Sequence, residues 1–401
     1  MSSEWLHKPL ANLIMLIPMV CWFAFCLDII APALPFITDD FHVSASSLQN
    51  SMSVFFLVCG LTQLCIRSLI IKLGRRTLTL LCYIIIFLGC LIASVSHNLT
   101  TLIVARCIQA AGSSATLMIS FISVRDITTN AKLRTTLCSY LSTAIAVSPI
   151  IIPMIGALII QKRHWHFTFT YMMALIAIHG LLTFKLFPKA QSNEQHHHES
   201  KVSWLSLLIQ HTNLAYLIFS GILGASTNFL FLSHSPYIYI VNFGSSPLWY
   251  GYCFSLVGFT YMVGCFILPQ ISKKTGVLKA ILFGHGLILI AMMSIFICHI
   301  FHMLNALIFT FLTCVTHLGS GILLTGSITG LMNQPKLATD QVIGVYGCLK
   351  FVLPALLGWL TMAYGASLFA MSATIIILST LALLTIIPMM DLSRGRLLNA
   401  Y

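Results

Sequence analysis

Apolar residues run along this chain in long blocks, parted by short polar breaks. A helix that crosses a bilayer needs about twenty apolar residues. On that measure the pattern predicts twelve spans, at 10–37, 46–70, 77–96, 99–122, 133–160, 167–187, 212–240, 248–271, 278–300, 304–332, 342–364 and 366–390. None of the blocks alternates with period two, so a transmembrane barrel, with its alternating segments of about ten residues, is not indicated. The fold class expected is an all-α integral membrane protein. Its first apolar run is too long for the core of a signal peptide and is expected to stay as the first span.

Composition agrees. Of 401 residues, 58% are hydrophobic and only 7% are charged, so most of the surface must face something other than water. The formal net charge of +12 is not a nucleic-acid signature, because nearly all Lys and Arg lie in the breaks and form no basic domain. Their distribution sets an orientation. Lys8, Lys72, Arg75, Arg76, Lys132, Arg134, Lys185, Lys189, Lys201, Lys273, Lys274, Lys279, Lys336, Arg394 and Arg396 fall on one side, and only Lys162 and Arg163 on the other. Both termini are therefore expected in the cytoplasm.

The longest polar break divides the chain into an N-terminal six-helix bundle at 1–187, a cytoplasmic linker at 188–211 and a C-terminal six-helix bundle at 212–401. Transporters are often built from such repeated halves. Lys72-Leu73-Gly74 after span two and Lys274-Thr275-Gly276 after span eight form a faint internal echo. The thirteen Cys have no metal spacing and read as small apolar residues. His196, His197 and His198 read as solvated linker rather than as ligands, so no metal site and no cofactor are expected. No phosphate loop, zinc motif or hydrolase elbow is present, which gives an ATP-driven pump or a membrane enzyme no support and leaves no catalytic residues to name.

The informative residues are ionisable groups within spans, each costing at least about 2.5–3.5 kcal/mol at mid-bilayer. Three stand clearly inside: Asp28, Arg106 and Lys350. A carboxylate such as Asp28, gaining and losing a proton as its access alternates, is what proton coupling requires; the alternative is a carboxylate satisfied by its neighbours. Arg106 opens a polar stripe with Gln109, Ser113, Thr116 and Ser120 at steps of three or four. The Ser and Thr hydroxyls are better read as helix packing. Lys350 either pairs with a carboxylate, binds an anionic substrate, or snorkels to the cytoplasmic interface. Pro149 and Pro153 bend span five, and Gly156 permits close backbone approach. In the second half Asn228, His234, Pro236, Tyr237, Tyr239, His317, Ser320 and Ser327 are candidate contacts, each also explicable as a buried polar group with a local partner.

These residues together resemble the major facilitator superfamily, and within it the twelve-span drug:proton antiporters of the bicyclomycin/chloramphenicol resistance type. Leu27-Asp28-Ile29-Ile30-Ala31-Pro32-Ala33-Leu34-Pro35 is similar to the family's span-one signature, whose acid is linked to proton coupling. Arg106, Gln109 and Gly112 match its span-four R-x-x-Q-x-x-G, and Arg125-Asp126 the charged pair closing that span. Ser148-Pro149 to Pro153 and Gly156 resemble the span-five antiporter motif, and Trp165 and Phe169 its W-x-x-x-F. The loop after span two keeps Gln63, Lys72, Gly74, Arg75 and Arg76 but has Arg67 for its first Gly and Ile71 for its Asp. The missing carboxylate belongs to a charge network that gates the cytoplasmic side.

The resemblance implies a proton-coupled exporter of a small organic molecule (drug, siderophore or metabolite) working by alternating access in a bacterial inner membrane. Asp28 and Arg106 would carry proton coupling. Asp28, Gln109, Ser113, Asn228, His317 and Lys350 would line the substrate cavity. Arg75, Arg76, Arg125 and Asp126 would form what remains of the gate, with Pro149, Pro153 and Gly156 letting span five reshape. The partners implied are the substrate, protons and the lipid bilayer, with no nucleic acid, and a monomer suffices. The alternatives are an importer or facilitator of a metabolite and a non-transporting membrane scaffold or sensor.

Overall fold

The computed structural model describes residues 13–127, 131–186, 212–332, 336–362, 364 and 367–398, with side chains described except at 67, 125–127, 131–132, 134–135, 185–186, 212–213, 332, 336–344, 362 and 385–398. His196, His197, His198 and the rest of the polar linker lie outside the described residues. Among the described residues the regular structure is helical. The helices are α1 (Leu13–Asp28), a 3-10 turn (Ala31–Ala33), α2 (Leu34–Asp40), α3 (Ala45–Leu73), α4 (Arg75–Ser94), α5 (Leu99–Ile127), α6 (Ala131–Lys162) and α7 (His166–Leu186). They continue with α8 (Thr212–Pro236), a π-helical turn (Tyr237–Asn242), α9 (Pro247–Thr275), α10 (Val277–Ile300), α11 (Ala306–Met332), α12 (Lys336–Met362) and α13 (Leu368–Leu398). Among the described residues, ten spans are long and apolar enough to cross a membrane, and Val345–Thr361 and Leu368–Leu384 are shorter apolar stretches within α12 and α13.

The chain forms two compact units. Unit 1 comprises Met1–Gln195 with Ser235–Gly258, and unit 2 comprises His196–His234 with Phe259–Tyr401. In unit 1, α5 packs along α3, α4 and α1, while α6 packs along α1 and α7 along α4. In unit 2, α10 packs along α11 and α13. The outer faces are apolar. On α4, Leu81, Ile84, Leu88 and Leu91 recur at steps of three and four and are all exposed, whereas Cys82, Ile86, Cys90 and Ala93 on the other face are buried. A helix arranged this way meets hydrocarbon outside and protein inside.

The K-x-G echo has a structural counterpart. Gly74 joins α3 to α4 with φ 75° and ψ 153°, and Gly276 joins α9 to α10 with φ 84° and ψ 156°. Each closes the last turn of the preceding helix, Gly74 N–H donating to the Ile70 carbonyl and Gly276 N–H to the Ser272 carbonyl, both at 2.9 Å. This region of φ and ψ is open essentially to glycine alone.

Candidate functional site

Asp28 is the last residue of α1. Pro32 and Pro35 carry no N–H, so the carbonyls of Asp28 and Ala31 lose their i+4 donors and the helix stops. The chain crosses a turn and the short 3-10 segment and resumes as α2. Broken helices inside membrane proteins need other groups to serve their backbone. Arg106, on α5 and fully buried, does this. Its Nη1 donates to the Cys26 carbonyl in the last turn of α1 and to Gln109 Oε1, the latter at 2.9 Å. Its Nη2 lies 3.6 Å from Met52 Sδ, and its guanidinium carbon sits 4.2 Å from the centre of the Phe55 ring. A cation at a helix C-terminus also opposes the partial negative charge there.

Asp28 itself is 5% exposed. Among the described residues, no group hydrogen-bonds its carboxylate. The Arg106 guanidinium and the buried Tyr250 hydroxyl are within electrostatic range of it. Tyr250 Oη is 3.2 Å from Ser235 Oγ. Ser113 is buried beside Cys26, with its hydroxyl 3.4 Å from the Ala110 carbonyl. Thr116 and Ser120 bond their own helix, at 2.8 Å to the Ser113 carbonyl and 2.7 Å to the Thr116 carbonyl, as expected of packing hydroxyls. Unit 1 thus brings Asp28, Arg106, Gln109 and Ser113 together around the last turn of α1.

Helix α6 runs unbroken through Pro149 and Pro153. It meets the break in α1 at Gly156, where a Cβ would overlap the Ile29 carbonyl and lie 3.1 Å from Pro32 Cγ. Pro153 removes the donor that the Pro149 carbonyl would otherwise have. The start of α9 packs there: a Cβ on Gly258 would lie 3.1 Å from the Pro149 carbonyl oxygen, and Ser255 Oγ donates to the neighbouring Ile150 carbonyl at 2.5 Å. Gly251, Ser255 and Gly258 form a small-residue ladder on α9 that sequence reading missed. Their spacing of four and three was the available signal, but small residues in an apolar run do not say which neighbour they approach.

Of the proposed gate, Arg76 donates from Nη2 to the Phe184 carbonyl at 2.6 Å and sits over the Phe184 ring, tying the start of α4 to the end of α7. Arg75 is beside it on α4 and half-buried. Arg125 and Asp126 are in the last turn of α5, with side chains outside the described set. Trp165 is buried and meets Phe169 edge to face, and its Nε1 donates to Asp40 Oδ2 at 2.6 Å.

Unit 2 has a second polar cluster. Ser320 Oγ on α11 lies 3.0 Å from the Gly224 carbonyl and 2.8 Å from Asn228 Oδ1 on α8. His317 is one turn earlier on α11, its Nδ1 2.8 Å from the Thr313 carbonyl and its ring edge to face with Phe231 at 4.6 Å. His285 Nε2 meets Ser220 Oγ at 3.1 Å. His234 is buried with Nδ1 3.0 Å from the Leu230 carbonyl. Lys350 on α12 is half-buried, with Nζ 5.1 Å from the centre of the Phe351 ring; no acidic group pairs with it among the described residues.

Comparison with known proteins agrees with this architecture. The profile of the Major Facilitator Superfamily matches residues 16–358. A chloramphenicol resistance protein of Pseudomonas aeruginosa is 23% identical over 368 residues, covering 90% of this chain and 86% of that one. The multidrug resistance protein MdtL of Shewanella oneidensis is 23% identical over 371 residues, covering 91% of each. Among solved structures, the inward open conformation of the xylose transporter XylE from E. coli superposes with a TM-score of 0.74 at 11% identity, covering 94% of this chain and 95% of that one.

Proposed function

The chain belongs to the Major Facilitator Superfamily, and from that premise we propose that this multi-pass membrane transporter exports a small organic molecule in exchange for protons by alternating access. The observation that carries the reading is Asp28: a buried carboxylate with no hydrogen-bond partner among the described residues, next to an arginine whose Nη1 is engaged by Cys26 and Gln109. A carboxylate held that way is free to exchange its charge for a proton when water reaches it from either side. Arg106 fixes the broken end of α1, and so fixes where Asp28 stands. Gly156, Pro149 and Pro153 give α6 a surface that can shift against that break. The drug-resistance relatives support export, and their names make chloramphenicol a sensible first compound.

The same reading places Gln109, Ser113, Asn228, His317 and Lys350 along the substrate's path, and Arg75, Arg76, Arg125 and Asp126 at a cytoplasmic gate. The six-helix halves at 1–187 and 212–401, the linker between them, a bacterial inner-membrane location, cytoplasmic termini and a monomeric state complete it. Lys350, with no acidic partner among the described residues, favours a second reading in which an anionic metabolite is carried.

The test begins with accumulation of a compound panel in cells with and without the protein. An exported compound is then followed in everted vesicles under an imposed proton gradient. Asp28→Asn is expected to reduce gradient-driven uptake into the vesicles to background while membrane insertion is unchanged. Full activity of that variant would refute the assignment. Uptake of anionic compounds only, unaffected by the gradient, would favour the second reading.

A further inference from the structure

At the end of unit 1 opposite Arg75 and Arg76, three connections between helices meet: the one after α2, the one between α4 and α5, and the one between α6 and α7. They are joined by two imidazoles. His164 Nε2 lies 2.8 Å from Asp40 Oδ2, His164 Nδ1 lies 2.7 Å from His166 Nδ1, and His166 Nε2 lies 2.9 Å from the Ser96 carbonyl. The two rings are 17° from parallel with centroids 4.7 Å apart. Stacked rings keep their atoms at about 3.5 Å or more. A separation of 2.7 Å between nitrogens therefore means that the rings meet edge to edge, as N–H···N partners do.

Each of the three contacts needs one hydrogen. The Ser96 carbonyl only accepts, and an ionised carboxylate only accepts. Two neutral imidazoles bring one hydrogen each, and ionised Asp40 brings none. The chain of contacts is thus one proton short unless an extra proton is bound, wherever along it that proton rests. We propose that Asp40, His164 and His166 form a proton-binding site, distinct from Asp28, whose bound proton clamps the three connections together.

Two of its neighbours favour a positive charge. Asp40 supplies the balancing carboxylate. Trp165 donates to that carboxylate and stacks its indole on His166 at 3.6 Å between centroids, a favourable arrangement for a cation over an aromatic face. The other ionisable groups at this end are His97, with its ring 6.3 Å from that of His166, Asp39 and His42 beside Asp40, and Lys162 and Arg163 just before His164. Side chains of Asp40 and His164 are 40% and 50% exposed, so protons reach the site from solvent. In the proposed orientation that solvent is the outer compartment, the source of the driving protons. The proton count itself does not depend on that orientation or on transport.

The sign follows from linkage. The closed clamp binds one more proton than the open one, so it is favoured as pH falls and weakens as pH rises, by up to about tenfold in the closed-to-open ratio per pH unit. Hydrogen exchange on the full-length protein in detergent, corrected for intrinsic rates, tests this between about pH 5.5 and about pH 8, on either side of the ordinary imidazole value of about 6.5. Peptides covering 38–42, 94–98 and 162–170 are expected to gain protection together as pH falls. The pH dependence is expected to vanish in the His164→Gln/His166→Gln variant and to persist in His97→Gln. Equal protection of the unmodified protein at both pH values would overturn the proposal, as would the full slope in the double variant or loss of the slope in His97→Gln.

Discussion

The interiors of the two units are built from different chemistry. Unit 1 buries charge: Asp28, with no hydrogen-bond partner among the described residues, and Arg106 donating to Cys26 and Gln109. Among the described residues, the fully buried polar groups of unit 2 are imidazoles and hydroxyls, with His285 on Ser220, His317 on the Thr313 carbonyl and Ser320 shared between Gly224 and Asn228. Its one clear intramembrane cation, Lys350, is only half-buried. A buried charge is costly to hold and cheap to change, because one proton alters it completely. A neutral imidazole or hydroxyl holds a shape and offers hydrogen bonds. The difference suggests a division of labour in which unit 1 handles the proton and unit 2 supplies recognition.

The sharpest way to break that comparison is Arg106→Met. Gradient-driven transport is expected to fall to background in vesicles, because Cys26 and Gln109 lose their donor and Asp28 its neighbouring charge. Arg106→Lys should not rescue it, since one ammonium cannot reach the Cys26 carbonyl, Gln109 and the Phe55 face together. Thermal unfolding should change less than transport does, because removing a buried charge offsets part of the lost hydrogen bonding. Retained proton coupling in Arg106→Met would show that the charge in unit 1 is structural.

Next in size is Gly156→Val. The new Cβ overlaps the Ile29 carbonyl, so α6 must move off the break in α1. A loss of about 1–3 kcal/mol is expected from overpacking, read as a lower melting temperature, together with reduced transport. In unit 2, Ser320→Ala removes the hydroxyl donor shared between the Gly224 carbonyl and Asn228 Oδ1 and should cost about 1 kcal/mol. Its effect on the proton dependence of transport should be nil, and a shift in that dependence would undo the assignment of the proton to unit 1. Smallest is Lys350→Met. With no acidic partner among the described residues, its removal should leave melting unchanged and export of uncharged compounds within about twofold; loss confined to anionic compounds would identify its ligand.

The spans were legible because the bilayer imposes one rule on every residue between two breaks, and α3, α4, α5 and α10 begin and end within a few residues of the expected positions. The break after Asp28 was only partly legible: Pro32 and Pro35 remove donors wherever they stand, but the expected first span ran through them from 10 to 37. What served the broken end was not legible. That Arg106 reaches Cys26 depends on how α5 is rotated against α1, and helix rotation is set by packing on both sides at once. The ladder of Gly251, Ser255 and Gly258 escaped notice for a related reason. Composition marks a boundary at the polar linker, but nothing in it signals that Ser235–Gly258 packs with unit 1. His164 and His166 were passed over because they lie in a short connection whose basic residues were read only for orientation.

The paired glycines carry a consequence for how this sequence can drift. Gly74 and Gly276 have open space around them, so no neighbour would object to a larger residue. Their constraint lies wholly in the main chain, which makes a rigid one-residue corner between antiparallel helices in either half. Two interiors that have diverged as far as a charged one and a neutral one still share this corner. A saturation mutagenesis survey should find both positions among the least permissive in the chain, while the residues flanking them tolerate almost anything polar.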